Sequence, residues 1–206
     1  MRIVCVSDTH GHGREVVVPH GDVLVHAGAL TGMGSLVQIA KEAAWLRSLP
    51  HRTKVVIAGN HDFGFEREPG PAVALLHDLV YLEDSEASVD SVRFYGSPWQ
   101  PWFFDWAFNL ERGPAIRARW DQIPAGIDVL VTHGPPAGIL DRTAAGMDVG
   151  CADLLEAVAR VRPRVHVFGH IHEGYGVVER DGTKFVNAST CDVRYRPIQP
   201  PIVVDI

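Results

Sequence analysis

The sequence predicts a layered α/β fold, because short apolar strands alternate with amphipathic helices ahead of a strand-rich C-terminal part. With 206 residues, 46% of them hydrophobic, the chain can bury one well-packed core. No internal repeat, low-complexity tract or long polar linker divides it. Residues 1–206 are therefore predicted to form a single domain.

Apolar runs and turn residues define the elements of the N-terminal half. Leu36, Ile39 and Ala43 recur at helical spacing, whereas the runs around them are short enough for buried strands. Pro71 is a favoured first-turn residue and opens a second helix. The predicted elements are strands over 2–7, 22–27, 54–58 and 92–96, and helices over 35–48 and 71–79.

The C-terminal half is richer in strands. Pro114 is a favoured first residue for the helix over 114–121. Pro163 cannot continue a helix, so it ends the separate helix over 151–161. Asp181-Gly182 separates two apolar segments and predicts a hairpin. The predicted elements are helices over 114–121 and 151–161, and strands over 128–132, 164–168, 175–179, 183–187 and 202–205.

Composition limits the classes of partner. Nineteen Lys and Arg stand against 25 Asp and Glu, and this net charge of −6 disfavours a long nucleic acid as substrate. No apolar run has the length of a membrane span, and the N-terminus leads directly into a strand without a signal-peptide pattern. We therefore expect a cytoplasmic protein with no membrane partner. The three scattered cysteines form neither a disulfide framework nor a zinc knuckle.

Metal-ligating residue types follow several predicted strands. Polar side chains just past strand ends converge where open α/β sheets bind ligands. Asp8 and His10 are two residues apart, as are His170 and His172, a spacing that sends both side chains to one side of extended backbone. A carboxylate among imidazoles suits Mn, Fe, Ni or Zn better than calcium. The candidate ligands are Asp8, His10, Asn60, His133, His170 and His172.

These motifs resemble those of the calcineurin-like metallophosphoesterases, whose pattern is Asp-x-His, Gly-Asp, Gly-Asn-His-Asp/Glu, His and Gly-His-x-His. The match spans residues 8–172, and the segments 98–103 and 187–191 further resemble the metallophosphoesterase-domain subgroup that includes a fetal-brain protein of mammals. The resemblance implies a four-layer α/β/β/α sandwich, with two mixed sheets flanked by helices. It also implies a site for two divalent metal ions.

Specific roles follow from the resemblance by position. The resemblance implies two sets of ligands, one for each metal ion. It also implies a catalytic role for His61, which matches a family histidine that contacts the substrate phosphate or helps the leaving group depart. Asn60 and His61 would therefore also contact the substrate. The first metal would take Asp8, His10 and His172, and the second Asn60, His133 and His170.

Position 29 departs from the family pattern. The aspartate that should bridge the two metals falls on Ala29, whose methyl group donates nothing to either ion. We therefore expect weak occupancy of the second metal site and impaired activity. Two hypotheses explain the alanine: a natural member tuned for slow turnover or binding, or an engineered inactive variant. The intact remainder of the site favours the second.

An aromatic run over 99–108 has two interpretations. Trp99 and Trp102 could stack a nucleobase beside the metals, or the run could pack into the core or form a homodimer contact, and packing is favoured. With the subgroup resemblance, the run indicates a phosphodiesterase for cyclic nucleotides or related small phosphodiesters. The alternatives are a non-catalytic nucleotide-binding or metal-binding protein, and a phosphomonoesterase or nuclease on the same scaffold.

Overall fold

Thirteen strands and five helices make up the chain in a computed structural model that describes residues 1–206. The strands are β1 (Arg2–Val6), β2 (Val23–Ala27), β3 (Thr53–Ile57), β4 (Val80–Tyr81), β5 (Ser85–Val89), β6 (Val92–Ser97), β7 (Gln100–Pro101), β8 (Asn109–Leu110), β9 (Val129–Thr132), β10 (Val165–Phe168), β11 (Gly176–Arg180), β12 (Thr183–Asn187) and β13 (Ile202–Asp205). The helices are α1 (Leu36–Ser48), α2 (Phe63–Arg67), α3 (Pro69–Ala74), α4 (Pro114–Trp120) and α5 (Ala152–Val161).

Two large mixed sheets hold most of these strands. The N-terminal sheet has the order β13-β1-β2-β3-β4, in which only β13 is antiparallel to its neighbour. The C-terminal sheet has the order β11-β12-β10-β9-β6-β5, with antiparallel pairs at both edges. Strands β7 and β8 form a small separate pair. In both large sheets the central strands are parallel, so their carboxyl ends lie along one edge of each sheet.

Alternating side chains pack the sheets into four layers. In β1, Ile3 and Cys5 face the other sheet, and Val4 and Val6 face the helices on the outside. The central core joins valines of both sheets, and the two outer cores join each sheet to its own helices. Each fully buried Val or Ile contributes roughly 1.5–3 kcal/mol. The predicted α/β/β/α sandwich with two mixed sheets is confirmed.

The helices differ in part from the prediction. Helix α1 begins where expected, because the Ser35 hydroxyl caps it by accepting a hydrogen bond from the backbone N–H of Gln38 at 3.3 Å. The predicted helix over 71–79 is wrong in its bounds, since α3 ends at Ala74 and turns lead into β4. Helix α2 and strand β5 were not predicted. None of the five helices has the length and apolar character needed to cross a membrane.

Candidate metal centre

The carboxyl ends of the parallel strands in both sheets meet at one site. Asp8 follows β1 and Asn60 follows β3 in the N-terminal sheet, while His133 follows β9 and His170 follows β10 in the C-terminal sheet. Two contacts join the sheets here: the backbone N–H of His170 donates to Asp8 Oδ2 at 2.9 Å, and His133 Nε2 lies 2.7 Å from Asn60 Oδ1. The sandwich therefore brings together residues that are distant in sequence.

Asp8, His10 and His172 form the first ligand group. One donor atom from each lies within 4.8 Å of the other two. The Nε2 atoms of His10 and His172 are 3.3 Å apart, and they lie 3.8 and 3.5 Å from Asp8 Oδ1. One carboxylate oxygen and two imidazole nitrogens thus face a common point, which suits a divalent transition metal.

The carboxylate of Asp8 is fixed by its second oxygen. Asp8 Oδ2 accepts hydrogen bonds from the His170 backbone N–H and from the Ser189 hydroxyl at 3.0 Å, which leaves Oδ1 free toward the imidazoles. Burial alone would raise the pKa of Asp8, but the hydrogen bond from His172 and the surrounding histidines hold it well below its usual range. Asp8 is therefore an ionised carboxylate held in a fixed orientation, as a metal ligand would need to be.

Backbone carbonyls set the tautomers of two candidate ligands. His172 Nδ1 donates to the carbonyl of Asp192 at 2.9 Å, and His133 Nδ1 donates to the carbonyl of Ala27 at 2.9 Å. Each Nε2 then presents a lone pair to the site, as metal-bound histidines require. Burial lowers the pKa of His10 to about 2, which keeps that imidazole neutral. Burial also acts to lower the pKa of His172, but the hydrogen bond and charge of Asp8 outweigh it and raise that pKa. This donor chemistry fits divalent metal ions.

Asn60, His133 and His170 are the candidates for a second ligand group, and their side chains lie near one another. The rings of His133 and His170 lie 5.0 Å apart, and the Nε2 lone pair of His133 faces the amide oxygen of Asn60. A divalent cation can take both an amide oxygen and an imidazole nitrogen as ligands, so this arrangement also fits a metal ion. Every donor in the group is neutral, whereas the first group contains a carboxylate.

Ala29 lies in the loop after β2, at the position where the family pattern has a bridging carboxylate. It is fully buried and has a φ of 49°, in the left-handed region that aspartate and asparagine tolerate better than alanine. Gly59 allows the close approach here, because a Cβ on it would overlap the backbone nitrogen of Ala29 and the ring of His133. The backbone conformation at position 29 is thus one that an aspartate could also adopt.

Asp62 fastens this loop to the end of β3. Its carboxylate accepts hydrogen bonds from the backbone N–H groups of Leu30, Thr31 and Gly59 at 2.9 to 3.0 Å, and from the Thr31 hydroxyl at 2.7 Å. Asp62 is fully buried. It therefore acts as a clamp that fixes the loop carrying Ala29.

His61 lies between aromatic and imidazole rings beside the first ligand group. Its Nδ1 donates to the carbonyl of Gly32 at 2.9 Å, and its ring lies 4.5 Å from that of His10 and 4.2 Å from that of Trp106. Burial lowers the pKa of His61. The hydrogen bond orients the imidazole and leaves Nε2 without a backbone partner.

The two predicted substrate-binding tryptophans have different surroundings. The indole N–H of Trp99 donates to Asp84 at 2.9 Å, and its ring packs against Phe108 and under the guanidinium of Arg119. Trp102 is 55% exposed and lines a cleft beside His170. The structure therefore brings Trp102, and not Trp99, to the edge of the site.

Sequence reasoning missed two residues that complete the first group. Tyr195 lies over it, with its ring 4.7 Å from that of His10 and 5.8 Å from that of His172. Ser189 bonds to Asp8, as described above, although its segment had been noted only for family likeness. Both lie in the C-terminal segment, far from the ligands in sequence, and no spacing could have linked them.

Comparison with known proteins identifies the family. A family model described as calcineurin-like phosphoesterase matches residues 1–174, which contain all six candidate ligands. The chain belongs to this family. Metallophosphoesterase domain-containing protein 1 of Homo sapiens and its Mus musculus counterpart are each 48% identical over 230 residues, covering 100% of this chain and 71% of the relative. The family predicted from sequence is confirmed, and membership supports a metal-dependent phosphoester hydrolase.

Solved structures agree on the fold. One crystal structure matches with a TM-score of 0.67 at 16% identity, covering 90% of this chain and 89% of its own. The crystal structure of TT1561 from Thermus thermophilus matches with a TM-score of 0.62 at 12% identity, covering 99% of this chain and 98% of its own. At such low identities the likeness concerns the sandwich and not the substrate.

Proposed function

We propose that this protein is a metal-dependent phosphodiesterase for cyclic nucleotides or related small phosphodiesters, with a two-metal site impaired at position 29. The observation that supports it most is the convergence of two ligand groups across the junction of the sheets. In this proposal one ion is held by Asp8, His10 and His172, and the other by Asn60, His133 and His170. Mn, Fe, Ni and Zn suit these donors.

The bound ions would supply Lewis acidity toward a phosphate and lower the pKa of water. The residues of the chain itself would bind and orient the phosphate group of the substrate. Asn60 and His61 follow β3 beside the two ligand groups, where they are proposed to contact the phosphate. His61 is proposed to protonate the departing alkoxide through Nε2, since its Nδ1 is committed to Gly32. Burial lowers the pKa of His61, which makes its imidazolium a stronger acid but reduces the fraction of His61 that carries the proton near neutral pH.

Ala29 limits the proposed activity through charge. Two divalent ions bring four positive charges, and of the six proposed ligands only Asp8 carries a negative charge. Because the second group has only neutral donors, we expect its ion to be bound weakly and the reacting groups to be poorly positioned. This imbalance also favours a second candidate function, a nucleotide or metal binder that does not turn over.

The substrate class is proposed from charge and shape. The net charge of −6 disfavours a long nucleic acid, while an exposed Trp102 beside His170 suits a small ligand with a flat ring. A small phosphodiester or nucleotide is therefore the proposed partner. The homodimer contact and the cytoplasmic location stay predictions.

Hydrolysis assays with added Mn²⁺ test the proposal. A bis-aryl phosphodiester and cyclic nucleotides are compared with an aryl phosphomonoester and an oligonucleotide, for the chain as it stands and for Ala29→Asp. We expect diester hydrolysis that rises strongly in Ala29→Asp. No hydrolysis by either form would favour the binder, and a preference for the monoester or the oligonucleotide would indicate a different esterase.

A further inference from the structure

A cleft of about 340 Å³ opens beside the second ligand group. Its end nearest the proposed metals is lined by His170 and by Gly134, which follows His133 in sequence. A phosphate held by the second group would therefore have its substituents at the entrance of this cleft. Cavities of this size lie in the range that binds small ligands.

The walls of the cleft are apolar and flat. Trp102 and Phe103 are 55% and 54% exposed, and Met147 is 59% exposed. The ring of Phe103 meets that of His170 edge to face at 6.5 Å, so the aromatic wall continues to the ligand group itself. Large apolar side chains left exposed around a concave surface mark a place where a ligand can bury them.

The charged residues of the cleft do not favour a second anion. The guanidinium of Arg112 donates to the carbonyls of Val149 and Gly150, both at 2.8 Å. Glu173 adds a carboxylate, which accepts a hydrogen bond from the backbone N–H of Ala144. With its cation held by the backbone and an acid nearby, the cleft suits a neutral group better than a chain of phosphates.

We infer that this cleft binds the flat neutral ring of the substrate, of the nucleobase class, between Trp102, Phe103 and Met147 while the phosphate lies at the second ligand group. The inference rests on the proposed function for the position of the phosphate. It assigns the ring to the side of the second group, whereas His61 and Tyr195 lie against the first.

Calorimetric binding to the protein in saturating Mn²⁺, at a concentration that also fills the weaker second site, tests the inference without turnover. Adenosine monophosphate carries the ring, and ribose phosphate offers the same phosphate without it. We expect the ring-bearing ligand to bind about 10-fold more tightly, and Trp102→Leu to remove about 10-fold of its affinity while ribose phosphate is unaffected. Trp102 contributes its backbone to β7–β8 pairing and its exposed ring to the cleft, so the variant is expected to keep its fold.

A pair of methionines gives a matched control. Met147→Ala removes a wall of the cleft and should weaken adenosine monophosphate binding several-fold, whereas Met33→Ala changes a residue that is 64% exposed and does not line the cleft. Met33→Ala is expected to bind both ligands as the parent does. Equal losses in the two variants would contradict the assignment of the ring to this cleft.

Three results would overturn the inference. They are equal affinities for the two ligands in the parent chain, equal losses for both ligands in Trp102→Leu, or a dimer in sedimentation that dissociates in Trp102→Leu while ligand affinity stays the same. Failure of the proposed function is distinguishable from these. If cyclic nucleotides are not hydrolysed even by Ala29→Asp but ring-dependent binding is present, the cleft assignment holds and only the catalytic proposal fails.

Discussion

The two ligand groups are built alike but charged differently. Each takes donors from both sheets, and each has a histidine whose Nδ1 is bonded to a backbone carbonyl. The first group contains Asp8, an ionised and doubly hydrogen-bonded carboxylate, whereas Asn60 offers the second group only an amide oxygen. Asp8 is thus the only carboxylate among the six candidate ligands, although donors of both groups converge on one site.

The hydrogen bonds that hold the two ligand groups in position come from different parts of the chain. Ser189 and the Asp192 carbonyl hold the first group from the C-terminal segment. The second group depends on the Asp62 clamp, which fixes the loop with Ala29 against the end of β3. Because the clamp is complete, restoring a carboxylate at position 29 should need no other change.

The largest expected effect comes from Ala29→Asp. A bridging carboxylate adds a charged ligand in a left-handed position that aspartate tolerates, so the second Mn²⁺ should bind at least about 100-fold more tightly. Calorimetry and elemental analysis would show two ions per chain where the parent holds one firmly. Ala29→Asn supplies an oxygen without charge and should gain much less. Equal gains in both variants would show that charge is not the missing property.

Asp62→Asn tests whether the second group depends on its clamp. The amide would place N–H groups against backbone N–H donors in a fully buried site, which should lower the free energy of unfolding by about 3 kcal/mol. Urea denaturation measures the change, with Asp78→Asn as the control, since the solvent-exposed pair of Asp78 with Arg47 should contribute little to stability. Similar losses in both variants would remove the special role of Asp62.

Ser189→Ala perturbs the first group alone. Loss of the hydroxyl removes one of the two hydrogen bonds to Asp8 Oδ2, and we expect about 10-fold weaker binding of the first metal ion. Binding of the second ion, measured in the Ala29→Asp background, should stay the same. If both ions weaken together, the two groups act as one unit and the comparison does not hold.

Tyr195→Ala is expected to give the smallest effect. The ring packs edge to face on His10, and loss of one such contact should change first-ion affinity about 3-fold. Tyr195→Leu keeps apolar bulk and should restore part of the loss. Metal titration of the two variants checks this, and a change confined to the second ion would contradict the placement of Tyr195 over the first group.

The ligand groups were predictable because each donor follows an apolar strand in a recognisable motif. Asp8 and His170 lie 162 residues apart, yet each follows a parallel strand of its own sheet, and the carboxyl ends of the two sheets meet at one site. Tyr195 and Ser189 could not be predicted in the same way, since loops decide their positions. The different surroundings of Trp99 and Trp102 could not be predicted either. The sequence does not reveal which tryptophan of this loop packs inward and which is exposed to solvent.

The fold was predictable where hydrophobic patterns were strong. The buried central strands and α1 were found, but α2 was missed because its five residues are too few to show a helical period. Strand β5 has the polar sequence Ser-Glu-Ala-Ser-Val and forms only by pairing with β6 at a sheet edge. The helix predicted over 71–79 ends early at Ala74, and β4 pairs with β3 directly after it.

Because the backbone at Ala29 is left-handed, selection for stability and selection for catalytic turnover should favour different residues at this position. A glycine there would relieve roughly 1 kcal/mol of local strain but would bring no oxygen to the metals. A screen for thermal resistance should therefore enrich glycine at this codon, whereas a screen for turnover should enrich aspartate. Alanine is expected to be the optimum of neither screen, so a library at this one residue should give different winners under the two selections.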